Sequence, residues 1–217
     1  MQTLAPDLRT TVADSLSRAP IVAVVRHPDR AVAAAQARSF VRHGLELIEV
    51  TFTVPGAADL VRELLDLRAS GSPIRIGMGT VTTASRAREA VAAGSEFIVT
   101  PNVSAAVAGI AREHDLFLCM GGLTPTELVA AHELGADLLK VYPLPPVGGP
   151  AYLSVVRQPL GDLAPMLAGG GFGIEEIPAY RAAGAIAFGI GAPLIAADDA
   201  GTSRNIQRAL ALARGGQ

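Results

Sequence analysis

The 217-residue sequence predicts an α/β protein, a single (β/α)8 TIM barrel with an extra N-terminal helix, and three observations support this fold class. Short apolar or β-branched runs alternate with Ala-, Arg- and Glu-rich segments of helical period. Eight segments of each kind follow one another along the chain. A helix-Gly-strand pattern also recurs. No Pro/Ser-rich or charge-rich linker divides the chain, so we expect one domain over residues 1–217.

The alternation places each strand before a helix, as repeated βα units require. The predicted strands are Ile21–Val25, Leu45–Phe52, Ile74–Met78, Glu96–Thr100, Leu116–Met120, Asp137–Tyr142, Met166–Ala168 and Ala185–Phe188. The helices are predicted to begin near Asp29, Gly56, Thr82, Val103, Thr124, Gly149, Gly173 and Ser203. A doubly wound open sheet is the alternative fold. It usually has fewer strands and a glycine-rich phosphate loop after the first strand, and Val25-Arg26-His27-Pro28 contains no glycine.

Four glycines separate a helical segment from the strand that follows, about two βα units apart: Gly44, Gly94, Gly135 and Gly184. Each is predicted to be a left-handed helix C-cap that leads into an αβ loop. The chain begins with a segment, Met1–Arg18, in which charged residues interrupt any apolar core. We therefore predict an amphipathic opening helix there and no signal peptide.

Composition restricts the class of partner. A net charge of -2 and a pI near 6.1 provide no basic field for nucleic acid or an anionic membrane, and the absence of Trp leaves little surface for base stacking. The longest apolar stretch, residues 185–197, contains Gly189, Gly191 and Pro193, which argue against a spanning helix. We expect a small-molecule partner, no nucleic acid, no membrane and a cytoplasmic location. The single Cys119 excludes an intramolecular disulfide.

Lys140 is the only lysine of the chain, beside seventeen arginines, and it lies in the apolar run Leu138-Leu139-Lys140-Val141. A guanidinium cannot replace an amine that must lose its proton and attack a carbonyl carbon. Burial in a strand disfavours the charged form and so favours the neutral nucleophile. The alternative is a lysine that reaches solvent or pairs with a carboxylate, in a chain whose arginine bias reflects base composition.

Glu49 shares one face of its predicted strand with Leu47 and Thr51, and the same alternation groups Lys140 with Leu138 and Tyr142. In a barrel these faces point into the interior, where an ionised carboxylate needs a partner or a chemical role. Imine chemistry requires an amine that condenses with a ketone and a carboxylate that moves protons. A buried structural ion pair is the alternative interpretation.

Two glycine groups, Gly169–Gly171 and Gly189–Gly191, follow the seventh and eighth predicted strands, where barrels often bind phosphate through backbone N–H groups. Tight turns are the alternative. Arg26, at the end of the first strand, could hold a carboxylate or form a surface ion pair. Metal chemistry is not indicated by the histidines, which lack metal-ligand spacing: His27, His43, His114 and His132. We therefore predict no metal and no cofactor.

Taken together, six segments resemble the class I aldolases that cleave 2-dehydro-3-deoxy-6-phosphogluconate or its galactonate epimer, some of which also act on 4-hydroxy-2-oxoglutarate. The segments are Pro20–Arg26, Ile48–Thr51, Gly77–Val81, Ile98–Asn102, Leu139–Pro143 and Gly169–Gly171. The resemblance implies that Lys140 forms the imine, that Glu49 shuttles protons, and that the assembly is a homotrimer.

The resemblance also assigns the substrate-binding positions. Thr80 and Pro101 would line the pyruvate end, and Tyr142 stands where the family usually has Phe. The backbone at Gly170 and Gly171 would meet a phosphate. Gly191, from the second glycine group, is predicted to bind substrate as well.

Three positions depart from the family pattern. Thr53 replaces the Arg of the gluconate enzymes' Glu-Val-Thr-Leu-Arg-Thr motif; the galactonate enzymes also lack it, and there the residue matching Arg26 could serve the substrate carboxylate. We nevertheless predict that Thr53 binds substrate. Gly169 and Ala192 stand where the family often has Thr and Ser, so two hydroxyl donors to phosphate are missing. This predicts weaker phosphate binding or a substrate without phosphate.

The predicted function is a class I aldolase that cleaves a 2-keto-3-deoxy sugar acid, 6-phosphorylated, or 4-hydroxy-2-oxoglutarate. The products would be pyruvate and an aldehyde, glyceraldehyde 3-phosphate or glyoxylate. One alternative is a non-covalent barrel enzyme acting on a phosphorylated metabolite, such as an epimerase or a thiamine-phosphate-type synthase. The other is a catalytically silent ligand-binding barrel.

Overall fold

A computed structural model describes residues 7–68, 72–161 and 163–216. In this part of the chain, eight parallel strands close a barrel in the order β1 to β8. The strands are β1 Ile21–Val25, β2 Leu47–Thr51, β3 Arg75–Gly79, β4 Phe97–Val99, β5 Phe117–Gly122, β6 Leu138–Val141, β7 Met166–Ala168 and β8 Ala187–Ile190. The predicted (β/α)8 barrel is confirmed. The predicted domain, 1–217, also includes residues 1–6, 69–71, 162 and 217, which lie outside the described residues.

The helices alternate with the strands, and many begin at a side-chain cap. They are α1 Leu8–Arg18, α2 Arg30–Arg42, α3 Ala57–Asp66, α4 Ala84–Ala92, α5 Ala105–Glu113, α6 Pro125–Glu133, α7 Gly149–Arg157, α8 Ile177–Ala182 and α9 Asp199–Arg214. At α6, Thr124 and Glu127 form a reciprocal capping box. The four glycines predicted as left-handed C-caps adopt φ values of 85°, 83°, 85° and 102° at Gly44, Gly94, Gly135 and Gly184, which confirms that prediction.

Most predicted strand ends differ from the structure by one or two residues, and the largest differences lie in the last two βα units. The last helix begins at Asp199 and not at Ser203, because the Asp198 side chain accepts a hydrogen bond from the Gly201 N–H and caps the helix earlier. Near Gly173 a 3-10 turn precedes α8. The eighth strand is shifted towards its C-terminus because the Ala185 N–H still bonds to Tyr180 in α8.

The N-terminal helix α1 closes the lower end of the barrel. Its Val12 and Leu16 belong to one buried cluster with interior side chains of the strands, including Leu47 and Leu138. Of the predicted Met1–Arg18 helix, residues 1–6 lie outside the described residues. Because α1 fills this end, the barrel is open at the C-terminal ends of the strands, where barrel enzymes have their active sites. Among the described residues, none of the helices combines the length and apolar character needed to cross a membrane.

Candidate active site

Lys140 lies on β6, paired with Gly121 of β5 on one side and Leu167 of β7 on the other. Its neighbours on the strand, Leu139 and Val141, belong to the core between strands and helices, so alternation turns Lys140 into the barrel. The residue is 8% exposed. Its Nζ atom lies 5.2 Å from the centroid of the Tyr142 ring.

A cavity of about 320 Å³ adjoins Lys140 at the C-terminal ends of β1, β6, β7 and β8. Six of the predicted site residues line it: Arg26, Lys140, Tyr142, Gly170, Gly171 and Gly191. Gly169 provides room for the lysine, because a Cβ there would lie 3.2 Å from the Lys140 Cε. The apolar lining residues Phe172 and Pro193 were not predicted from the sequence, because they carry no polar or glycine signal.

Two glycines of the loop that follows β7 adopt backbone conformations that favour glycine. Gly170 has φ 130°, and a Cβ there would lie 2.9 Å from the Leu144 nitrogen; Gly171 has φ 83°. Neither residue's N–H donates to a backbone or side-chain acceptor within the described residues. Both residues line the cavity.

Glu49 lies on β2, is 1% exposed, and is paired with Val24 of β1 and Gly77 of β3. Its Oε1 atom is buried and has no hydrogen-bond partner among the described residues. A Cβ on Gly79 would collide with this carboxylate, so the carboxylate fits here only because residue 79 is a glycine. A buried carboxylate oxygen without a partner is costly, and such atoms are often used in catalysis.

Cys119 lies on β5 and is buried in the barrel interior. Burial raises the pKa of its thiol to about 12, while the Lys140 charge opposes this rise and the Glu49 charge adds to it. The thiol is therefore protonated, and Cys119 is a small buried residue of the barrel interior.

Arg26, Thr80 and Thr53 lie on the β1 to β3 side of the barrel mouth. Arg26 is exposed, and its Nη2 approaches the Thr80 Oγ1 at 3.4 Å. Thr80 follows β3 and has a φ of 60°, a left-handed conformation that costs a β-branched residue about 1–3 kcal/mol. Thr53 is exposed, with its Oγ1 2.7 Å from the Oγ1 of Thr51.

Pro101 follows β4 and packs against β5. It is partly buried, and a Cβ on Gly121 would lie 2.5 Å from its carbonyl carbon. Pro101, Glu49, Thr53 and Thr80 do not line the 320 Å³ cavity. The predicted residues thus form two groups, one around the cavity and one at the ends of β2, β3 and β4.

The described residues contain no group of three or more His, Cys, Asp or Glu side chains placed to hold a metal ion. His27 is engaged locally, since its Nδ1 accepts a hydrogen bond from the Asp29 N–H at 3.0 Å.

The cavity lies at the C-terminal ends of the strands, where (β/α)8 barrel enzymes have their active sites. Residues 12–210 match the family described as KDPG and KHG aldolase. The chain belongs to this family, and its activity is that of an aldolase, a lyase. The resemblance predicted from the sequence is confirmed.

Individual relatives agree with this assignment. The chain is 30% identical to the 2-dehydro-3-deoxy-phosphogluconate aldolase of Treponema pallidum (strain Nichols) over 149 residues, 69% of this chain and 70% of the relative. It is 28% identical to the 2-dehydro-3-deoxy-6-phosphogalactonate aldolase of Escherichia coli (strain K12) over 200 residues, 91% and 95% of the two chains. A solved structure described as native KDPGal superposes with a TM-score of 0.80 at 26% identity, covering 90% of this chain and 94% of the other.

Proposed function

We propose that this aldolase works by Schiff-base chemistry on Lys140. One observation carries the proposal: the single lysine of the sequence is 8% exposed, points into the barrel, and opens onto the cavity at the catalytic end. A lysine retained only for its charge could be replaced by arginine, which this chain uses at seventeen other positions.

In the proposed reaction the neutral Lys140 amine attacks the 2-oxo carbon of the substrate and forms a carbinolamine, which loses water to give a protonated imine. The C3–C4 bond then breaks as the C4 hydroxyl gives up its proton. The bonding electrons move towards the imine nitrogen, which releases an aldehyde and leaves an enamine. Protonation of the enamine at C3 and hydrolysis release pyruvate and restore the amine.

Glu49 is proposed to carry the protons in these steps. Its unpartnered, buried Oε1 supports the role, because it can accept a proton from the substrate or a water and return it.

The substrate is proposed to be a 2-keto-3-deoxy sugar acid, 6-phosphorylated, or 4-hydroxy-2-oxoglutarate, with its carboxylate near Arg26 and Thr80. Thr53 and Pro101 would complete that end, and Tyr142 would border the reacting carbons. The distal group would meet the backbone of Gly170, Gly171 and Gly191. The names of the relatives and the free N–H groups at the seventh loop support this orientation.

We further propose a homotrimer that acts in the cytoplasm without a metal or an organic cofactor. The resemblance to the family supports the trimer. Light scattering of the purified protein tests the oligomer. Unchanged turnover after dialysis against EDTA tests the independence from metal.

Replacement of Lys140 by Arg tests the mechanism, because it keeps the charge and removes the nucleophile. We expect turnover to fall by at least about 10³-fold with all substrates, since the covalent route is lost. Pyruvate release is followed with a coupled lactate dehydrogenase assay, and thermal unfolding verifies that the variant is folded. Retained turnover in folded Lys140→Arg protein would falsify the mechanism.

A further inference from the structure

Thr80 is held in an unfavourable backbone conformation at the end of β3. Its φ of 60° lies in the left-handed region, which β-branched residues rarely adopt. Only surrounding contacts can maintain such a conformation. In this conformation the Thr80 hydroxyl lies 3.4 Å from Arg26 Nη2, at the end of the site proposed for the substrate carboxylate.

Arg86 supplies these contacts. It is partly buried in the first turn of α4, and its Nη1 donates hydrogen bonds to the Thr80 carbonyl at 3.2 Å and to the Thr82 Oγ1 at 2.9 Å. Its guanidinium carbon lies 5.3 Å from the centroid of the Phe52 ring, which follows β2. One side chain therefore connects the ends of β2 and β3 with the start of α4.

The position of Arg86 is otherwise unfavourable. A cation in the first turn of a helix opposes the helix dipole. Among the described residues no carboxylate forms an ion pair with Arg86, and none forms one with Arg26. The contacts of Arg86 with Thr80, Thr82 and Phe52 offset this unfavourable interaction with the helix dipole.

We propose that Arg86 is a positioning residue for the carboxylate end of the active site. It fixes the Thr80 carbonyl, keeps Thr80 in the left-handed conformation, and thereby directs the Thr80 hydroxyl towards Arg26. The inference rests on the proposed function, because it assigns Thr80 and Arg26 to the substrate carboxylate. Arg86 acts through Thr80 and needs no contact with the substrate.

The test compares Arg86→Met with Arg88→Met, an equal change of charge at an exposed position on the same helix. Methionine keeps an unbranched apolar stem against Phe52 and removes the donors. We expect Arg86→Met to raise KM about tenfold, with kcat within about threefold of the unmodified protein, because a binding group is misplaced while Lys140 is untouched. Arg86→Lys should give an intermediate KM, and Arg88→Met should change neither constant.

A double-mutant cycle with Thr80→Gly separates positioning from general stabilisation. Glycine adopts positive φ without strain, so Arg86→Met should lower Tm less in the Thr80→Gly background than in the native background. Equal losses of Tm in both backgrounds, or an Arg86→Met KM equal to that of Arg88→Met, would overturn the inference. If Arg86→Met does not fold, Arg86→Lys takes its place in both comparisons.

The same proteins distinguish failure of the inference from failure of the proposed function. Pyruvate and borohydride should add one reduced imine to Lys140 in the native and Arg86→Met proteins at saturating pyruvate. Adduct formation together with an unchanged Arg86→Met KM contradicts only the positioning role. Absence of the adduct from the native protein contradicts the proposed function and, with it, the carboxylate assignment of Thr80, whereas the Tm cycle still decides whether Arg86 holds the Thr80 backbone.

Discussion

The two sides of the barrel mouth are constructed differently. The β6 to β8 side obtains open volume by omitting side chains: Gly169 leaves room for Lys140, and Gly170 permits a backbone approach that a Cβ would block. On the β1 to β3 side, polar groups are held in place by the residues around them: the Glu49 carboxylate is buried and the Thr80 backbone is strained.

This difference suggests a division of labour. In the proposed mechanism, the residues that change covalently or admit substrate have space around them, whereas those that hold a charge or a hydroxyl in place are surrounded by contacts. Substitutions that add volume on the confined side should therefore cost both catalysis and stability, whereas isosteric ones should mainly cost catalysis. Substitutions on the glycine side should mainly change how the lysine and the substrate fit.

The largest effect on the confined side is expected from Glu49→Gln, which keeps the shape of the side chain and removes its base. We expect kcat to fall about 10²- to 10⁴-fold, the usual range for loss of a general acid-base group. Thermal stability should be maintained or increased, because a buried charge is removed. The coupled assay and a thermal melt measure the two effects, and near-native kcat would reduce Glu49 to a structural residue.

Alanine at Gly79 and at Gly169 compares the two sides directly. A Cβ on Gly79 collides with the Glu49 carboxylate, so Gly79→Ala should lower both kcat and stability, the latter by about 1–3 kcal/mol. A Cβ on Gly169 would lie 3.2 Å from Lys140 Cε, a contact that a small shift of the lysine can relieve.

Gly169→Ala should therefore reduce kcat by about tenfold with little change in the free energy of unfolding. Denaturant melts and kcat values for both variants check this ordering. A larger stability loss in Gly169→Ala than in Gly79→Ala would contradict the division between the two sides.

Cys119 lies between the two sides, and its burial should make the stability of the protein depend on pH. Its pKa is raised from 9.0 to about 12 in the folded protein, so between these values the unfolded chain loses the proton first. Because the unfolded state then binds fewer protons, stability must decrease as pH rises through this window. Between pH 8 and pH 10 we expect a loss of about 1 kcal/mol that is absent from Cys119→Ala. Identical pH slopes in the two proteins would mean that the thiol is not buried as described.

The smallest effect is expected at the distal wall of the cavity, where Ala192→Ser adds a hydroxyl. One added neutral hydrogen bond should lower KM for a 6-phosphorylated substrate about threefold and leave the non-phosphorylated analogue unchanged. Initial rates with both substrates measure the ratio. An equal change for both would show that position 192 does not meet the phosphate.

The alternation of apolar and polar residues was sufficient to predict the barrel and to turn Glu49 and Lys140 inward. It misplaced β8 because Gly189 was taken as part of a turn, whereas it pairs with Val22 inside the sheet. Contacts that depend on the register between strands could not be predicted from the sequence. The collision that reserves Gly79 for the Glu49 carboxylate, and the hydrogen bond from Arg86 to Thr80, join residues that only the closed barrel brings together.

Reduction with borohydride in the presence of pyruvate tests the central claim most directly. The account predicts a single reduced pyruvate adduct by mass spectrometry, mapped to the peptide that contains Lys140 and absent from Lys140→Arg. Peptide mapping also separates this adduct from one on the N-terminal amine. Folded protein that turns over substrate but forms no adduct on Lys140 would contradict the account.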